Sequence, residues 1–247
     1  MAEYIFYFLS QGVFPFLIIG ILVIILLLTN RFFCGWACPI GTIQDITAAI
    51  PTEKRNLKIG THQKLLKIKF IIVIFLAIVT IALGIMKVVD ESVYLTYKES
   101  LGNFAVKPLS YFSLSEFLFV VLPKLLINIW LTGGLAPLFS NILTLILFLF
   151  YIAILILSVW YPRVYCRYLC PFGGIAAAVS EYSFLKLSRS PVRCVGRQEC
   201  GICEKECPKQ IRILDEPFEF FTGEGECNFC LKCKEKCPHD AISVTFG

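Results

Sequence analysis

Residues 4–29 contain no charged side chain, and neither do residues 70–86 or 138–160. Isoleucine, leucine, phenylalanine and valine dominate all three runs. Where water is excluded, a backbone must satisfy its own polar groups, so each run reads as a helix. About 17–20 such residues cross the hydrocarbon core of a bilayer, and each run is near or above that length. The composition agrees: of 247 residues 57% are hydrophobic and 17% charged, with mean hydropathy +0.75, which is unlike a soluble domain. A fourth run, 117–136, is apolar but carries Pro123, Lys124, Gly133 and Gly134; it is expected as a broken or re-entrant helix, with a full fourth crossing as the alternative. The first run lacks a basic leader and a small-residue cleavage site, so it is expected as an uncleaved span.

Charge orients these spans. Residues 52–69 hold Lys54, Arg55, Lys58, Lys64, Lys67 and Lys69 against Glu53 alone, whereas residues 90–116 hold Asp90, Glu91, Glu99 and Glu116 against Lys98 and Lys107. Positive loops stay inside, which puts 52–69 in the cytoplasm and 90–116 outside. Residues 183–247 carry ten basic and ten acidic side chains, so nothing there favours nucleic acid. With 117–136 not crossing fully, the count delivers the C-terminal tail to the cytoplasm.

The chain contains an internal repeat. Gln11-Gly12-Val13-Phe14-Pro15, an apolar span and Cys34-Gly35-Trp36-Ala37-Cys38-Pro39-Ile40-Gly41 form one copy. Gly133-Gly134-Leu135-Ala136-Pro137, a longer span and Cys166-Arg167-Tyr168-Leu169-Cys170-Pro171-Phe172-Gly173 form the other. Both copies run in one direction, so a pseudo-twofold axis along the membrane normal relates them and faces the cysteine pairs together. A short helix follows each motif, the first with Thr42 and Asp45 spaced as a capping box. The thiols of Cys34, Cys38, Cys166 and Cys170 suit an iron–sulfur cluster, a soft ion such as Cu(I), or a redox dithiol system. Arg31, Arg163 and Arg167 lie close by, placed either to offset thiolate charge or to anchor the helix ends at the interface.

The other eight cysteines fill two runs in the tail. One is Cys227-x2-Cys230-x2-Cys233-x3-Cys237-Pro238 and the other is Cys194-x5-Cys200-x2-Cys203-x3-Cys207-Pro208. Three closely spaced thiolates wrap one face of a cubane, and the fourth comes from the other run, where proline turns the chain away. This is the spacing of a bacterial-type ferredoxin with two [4Fe–4S] clusters. By that pattern Cys194, Cys200, Cys203 and Cys237 hold one cluster, and Cys207, Cys227, Cys230 and Cys233 the other. Five residues, Val195 to Glu199, stand where two are usual. A zinc ribbon is the alternative for Cys-x2-Cys pairs, but the doubled Cys-x3-Cys-Pro ending speaks for clusters. Reduced thiols and cluster assembly point to the cytoplasm.

The paired membrane motifs followed by this tail resemble the NapH-like family over nearly the whole chain. That family includes an accessory protein of periplasmic nitrate reduction, the membrane half of the nitrous-oxide reductase regulator, and a copper-handling factor for oxidase assembly. The resemblance implies membrane electron transfer between the quinone pool or cytoplasmic donors and an outside partner. Arg167-Tyr168 in place of Gly35-Trp36, and the long Cys194–Cys200 loop, depart from a uniform pattern.

Other signals are weaker. The two histidines, His62 and His239, lack haem-ligand spacing, and no nucleotide-binding motif occurs. Phe32, Phe33, Trp36, Tyr161, Tyr165 and Tyr168 suit either a quinone pocket or an aromatic belt. Asp45 and Glu181 read as exposed carboxylates or as proton relays to a quinol. The expected architecture is therefore an all-α polytopic membrane domain with an internal repeat (residues 1–182, copies in 1–51 and 117–182) in the inner membrane. An α+β two-cluster ferredoxin domain follows in the cytoplasm (183–247). The expected role is a non-catalytic electron-transfer subunit with redox-protein partners; its rivals are a copper reductase and an iron–sulfur sensor.

Overall fold

The computed structural model describes residues 2–52, 55, 57–101, 109–134 and 142–247. Glu53, Lys54, Lys107, Leu135, Ala136, Pro137 and the first residues of the 138–160 run lie outside them. The helices are α1 (Ala2–Ser10), α2 (Phe16–Thr29), α3 (Phe32–Trp36), α4 (Pro39–Ala48), α5 (Ile59–Val89), α6 (Glu91–Leu101), α7 (Leu114–Thr132), α8 (Ile142–Trp160), α9 (Val164–Tyr168) and α10 (Pro171–Ser180). The tail adds β1 (Leu185–Arg189), the single-turn helices α11 (Gly196–Glu199), α12 (Ile202–Lys205) and α13 (Lys232–Glu235), and β2 (Ile242–Phe246). The strands pair antiparallel from Leu185 opposite Phe246 to Arg189 opposite Ile242. Two compact units result: Met1–Ile18 with Ile43–Pro171, and Ile19–Thr42 with Phe172–Gly247. Residues 19–42 and 172–182 thus group with the tail, across the boundary expected after residue 182.

In the first unit, α5 and α7 are each long and apolar enough to cross a membrane. The face of α5 that carries Ile71, Ile74, Ile78, Ile81 and Ile85 is exposed, as are Ile127, Trp130 and Leu131 of α7 and Ile146, Leu149 and Ile156 of α8. Apolar faces of this extent call for an apolar medium. The run 4–29 is not one helix, as expected, but two. Gly12 turns the chain at φ 74° and Pro15 lacks an N–H, so α2 starts afresh at Phe16. Close packing of α1 on α5 depends on Gly84, where a Cβ would run into the Leu9 carbonyl oxygen. Gln11 fastens the same contact, donating to Tyr94 Oη (3.2 Å) and accepting from Lys87 Nζ.

Pro123 and Lys124 do not interrupt the run as expected, because α7 continues through them from Leu114 to Thr132. A π-helical turn at Phe117–Val121 precedes Pro123. Its wider ladder accommodates a residue that has no N–H and a ring that crowds the preceding turn. Gly133, left-handed at φ 63°, ends the helix. The outer loop expected at 90–116 also differs at its far end. Leu109 and Leu114 are buried, Tyr151 Oη donates to Tyr111 O (2.7 Å), and Tyr165 Oη donates to Phe112 O (2.6 Å) and accepts from Leu114 N (3.1 Å). Phe117 stacks on Tyr151 at 4.8 Å. The basic stretch 52–69 is largely helical from Ile59 onward, with His62 and Lys69 buried.

The second unit has its own apolar core of Leu187, Ile213, Phe221, Phe229 and Ile242, with Cys203 and Cys233 among them. The end of α2 is tied to it: Phe184 N donates to Leu27 O (2.8 Å) and Asn30 Nδ2 to Leu185 O (3.0 Å).

Gly84→Leu is expected to force α1 from α5 at a cost of about 1–3 kcal/mol, the range for overpacking. A lowered midpoint of thermal unfolding in detergent would register it; an unchanged midpoint would mean that the α1–α5 contact contributes nothing.

Candidate metal centres

The tail cysteines surround two cavities. The first is lined by Cys194, Cys200, Cys203 and Cys237, together with Arg189, Leu214 and Ala241. The second is lined by Cys207, Cys227, Cys230 and Cys233, with Leu187, Phe221 and Asn228. Four of the five residues after Cys194 form the single turn α11, Gly196–Glu199, before the chain reaches Cys200.

The two runs share a backbone pattern. The residue after the second cysteine of each run is left-handed: Gly201 (φ 66°) in one and Leu231 (φ 59°) in the other. The third residue after each closing cysteine is left-handed too, Gln210 at 57° and Asp240 at 48°. Phe229, at φ 53°, adds another. Leucine and phenylalanine rarely adopt this conformation, and each such residue costs on the order of 1–3 kcal/mol. These turns let Cys227, Cys230 and Cys233 line one cavity within seven residues.

Three of these thiols, on Cys203, Cys227 and Cys233, are poor acids where they stand. Burial pushes Cys203 up to about 11 and Cys227 up to about 12. Cys233 is raised as well, first by burial and then by neighbouring sulfurs. Only binding to a metal makes thiolates favourable in such places. Among the described residues, no three His, Cys, Asp or Glu side chains converge on a point that one ion would fill. Among the described residues, the buried donors Arg189 Nε, in a residue lining the first cavity, and Asn228 Nδ2, in one lining the second, meet no protein acceptor. Cluster and thiolate sulfurs accept such N–H groups. The residues therefore fit iron–sulfur clusters.

Arg189 is a candidate site residue that cysteine spacing does not reveal. It is buried, stacks on Phe218 (4.1 Å), donates to Leu214 O and Glu216 O (3.2 and 3.1 Å), and brings Nη1 to 3.7 Å from Cys194 Sγ. It thus braces the cysteine that precedes the irregular spacing. Ala241 N donates to Cys237 Sγ at 3.4 Å.

The remaining cysteines occupy two loops of one design. In the first copy, α3 carries Cys34 at its third position. Ala37 N and Cys38 N both bond to Phe33 O, and α4 begins at Pro39. In the second, α9 carries Cys166 at its third position. Leu169 N and Cys170 N both bond to Tyr165 O, and α10 begins at Pro171. Proline at the first helical position forgoes an N–H that would be unpaired anyway. Thr42 accordingly lies inside α4, donating to Cys38 O (3.2 Å) instead of forming the expected cap.

Arg31 and Arg163 each precede their first cysteine by three residues and stand at the N-cap of α3 and α9. Neither is an interfacial anchor. Arg31 is buried and donates to Gly225 O (3.0 Å) and Glu226 Oε2 (3.2 Å), a carboxylate that Lys209 also approaches at 3.6 Å. Arg163 is buried and grips Asp45 through two nitrogens, Nε at 2.8 Å. Asp45 is therefore an ion-pair partner, not a free carboxylate. Arg167 is buried as well, with Nη2 at 3.2 Å from His62 Nδ1, which Tyr168 Oη meets at 2.7 Å. A guanidinium only donates, so Nδ1 accepts and His62 is neutral with its proton on Nε2. Gln44 Nε2 donates to Cys166 Sγ (3.1 Å), while Gln44 Oε1 accepts from Tyr165 N (3.1 Å). Gln44 carries no sequence signal; only the fold brings it to a sulfur.

The family model described as a 4Fe-4S binding domain matches residues 11–58 and again residues 142–189, the two stretches that hold these loops. The putative electron transport protein YccM of Escherichia coli is 27% identical over 91% of this chain, which spans 53% of that protein. The regulatory protein NosR of Stutzerimonas stutzeri is 24% identical over 87% of this chain, which spans 25% of NosR. A ferredoxin of Methanothermococcus thermolithotrophicus is 35% identical over 52 residues, 21% of this chain and 85% of the ferredoxin. The chain belongs to the NapH/NosR-like family of iron–sulfur electron-transport proteins. No solved structure matches.

In this NapH/NosR-like chain the buried Arg31–Glu226 pair is open to a direct test. Removing one partner of a buried pair typically costs about 3–5 kcal/mol. Lys209 still faces the carboxylate in Arg31→Met, so the loss is expected near the lower end, about 3 kcal/mol. Chemical unfolding followed by tail absorbance would measure it, and a neutral result would make the pair dispensable.

Proposed function

We propose that the chain is a polytopic inner-membrane electron carrier whose cytoplasmic tail, residues 183–247, holds two [4Fe–4S] clusters. Cys194, Cys200, Cys203 and Cys237 ligate one, and Cys207, Cys227, Cys230 and Cys233 the other. The observation that carries this reading is the pair of cavities, each bordered by four thiols, with an orphaned N–H donor on a lining residue of each. Clusters held there supply one-electron chemistry. The protein's own part is to bury the sulfurs, fix their geometry through left-handed backbone turns, and set their electrostatics. Arg189 places positive charge beside Cys194, which favours the reduced, more negative state.

Cys34, Cys38, Cys166 and Cys170 form a further centre in this reading, an iron–sulfur cluster that exchanges electrons with the tail and with a membrane or extracytoplasmic redox partner. Support comes from one 4Fe-4S family model matching both copies, and from the identical local geometry of the two cysteine loops. Gln44, donating to Cys166, would stabilise a thiolate there. The spans are α2, α5, α7 and α8.

Iron, acid-labile sulfide and copper per chain test this in detergent-purified protein. The wild type is expected to carry more than the about eight irons of two cubanes. A Cys34→Ser/Cys166→Ser double variant should lose the excess and keep the tail's EPR signals after dithionite. About eight irons in both would remove the third centre. Copper lost with the substitutions would replace it by a copper-handling site.

A further inference from the structure

The two cysteine loops share a backbone but not their neighbours. The second loop faces helix: Arg167 and Tyr168 close on His62 of α5. The first faces the tail. Asn30 is bonded to Leu185 and Arg31 to Gly225 and Glu226. Trp36 Nε1 donates to Phe229 O at 2.9 Å. A Cβ on Gly35 would overlap the carbonyl oxygen of Asn228 and lie 3.5 Å from Cys230 N. Overlap with a backbone oxygen has no cheap relief, since no side-chain rotation moves it. Gly35 and Trp36 correspond to Arg167 and Tyr168, so the sequence difference between the copies marks a difference in what each copy touches.

Asn228 and Phe229 are the two residues between Cys227 and Cys230, on the rim of the second cavity. The first cavity is lined instead by residues such as Val195 and His239, which are exposed. The tail's two sites are therefore unequal: one abuts the loop between Cys34 and Cys38, and the other has solvent at its edge.

We propose that electrons pass between the tail and the Cys34/Cys38 loop through the cluster of Cys207, Cys227, Cys230 and Cys233, across the Gly35–Asn228 backbone contact, and that the cluster of Cys194, Cys200, Cys203 and Cys237 is the one that meets a soluble one-electron carrier. Each transfer moves one electron and no proton: the inner tail cluster is oxidised by one unit as the Cys34/Cys38 centre is reduced by one. The soluble carrier supplies the electron at the outer tail cluster. Tunnelling falls exponentially with separation, so the absence of a side chain at Gly35 keeps the gap short. Gly35 and Trp36 are positioning residues, acting through the backbone that carries Cys34 and Cys230. The inference rests on Cys34 and Cys38 being ligands of a redox centre.

The test uses the full chain in detergent with a small reduced ferredoxin as donor, followed by stopped-flow absorbance and rapid-freeze EPR. Gly35→Ala is expected to slow reduction of the Cys34/Cys38 centre at least tenfold, with iron content and the rate of tail reduction unchanged. Trp36→Phe, which keeps the ring and removes only the hydrogen bond, should slow it about threefold and serves if Gly35→Ala does not fold. In the wild type, reduction of the inner tail cluster should broaden the EPR signal of the Cys34/Cys38 centre, and both variants should weaken that coupling. Iron lost in Cys34→Ser with rates and coupling unmoved by Gly35→Ala and Trp36→Phe overturns this path alone. Iron unchanged in Cys34→Ser overturns the ligand reading beneath it, and the path with it.

Discussion

Sulfur must be gathered at a point, and the tail is organised around that demand. Seven residues from Cys227 to Cys233 carry three thiols toward one cavity, and a regular helix or strand cannot do this. The chain takes up left-handed conformations at Phe229 and Leu231 instead, at a cost that only a rigid surround can hold in place. That surround is the small core of Leu187, Ile213, Phe221 and Ile242 together with the antiparallel pair β1–β2. Burial in this core also disfavours free thiolates, which couples the fold of the tail to the clusters it would carry.

A second theme is duplication followed by divergence. Both membrane cysteine loops keep a five-residue helix, a shared acceptor carbonyl and a proline that restarts the chain as helix. Each keeps a buried arginine at its N-cap, yet the partner differs: Glu226 for Arg31 and Asp45 for Arg163. The inner residues of each motif have separated further, Gly35 against the Asn228 carbonyl and Arg167 against His62. What is common to the copies serves the sulfurs, and what differs serves their neighbours.

Several cations that a membrane reading would leave at the surface are internal to the fold. Arg31, Arg163, Arg167 and Lys69 are buried, although their sequence positions suit helix ends and a basic loop. Burying such groups requires partners, and the carboxylates, carbonyls and imidazole described above supply them for the three arginines. The exposed surface of α5, α7 and α8 is correspondingly left to isoleucine, leucine and aromatic residues.

Much of this was legible in the residues themselves. Uncharged runs announced helices because a backbone without water bonds to itself, and the spacing of cysteines announced clusters because ligands on a short loop have few ways to meet. The repeat was visible for the same reason, in its Cys-x3-Cys-Pro signature. Several features were not legible: that Pro123 leaves α7 intact, that the 109–114 stretch folds back to Tyr151 and Tyr165, that Arg189, Gln44 and Asn228 stand by the sulfurs, and that Gly35 is a contact. Local pattern determines which segments are helix and which thiols share a loop, since both follow from bonds between near neighbours. Which buried charge finds which partner, and which cysteine loop touches the tail, depends on residues up to about two hundred positions apart, and only packing in three dimensions decides it.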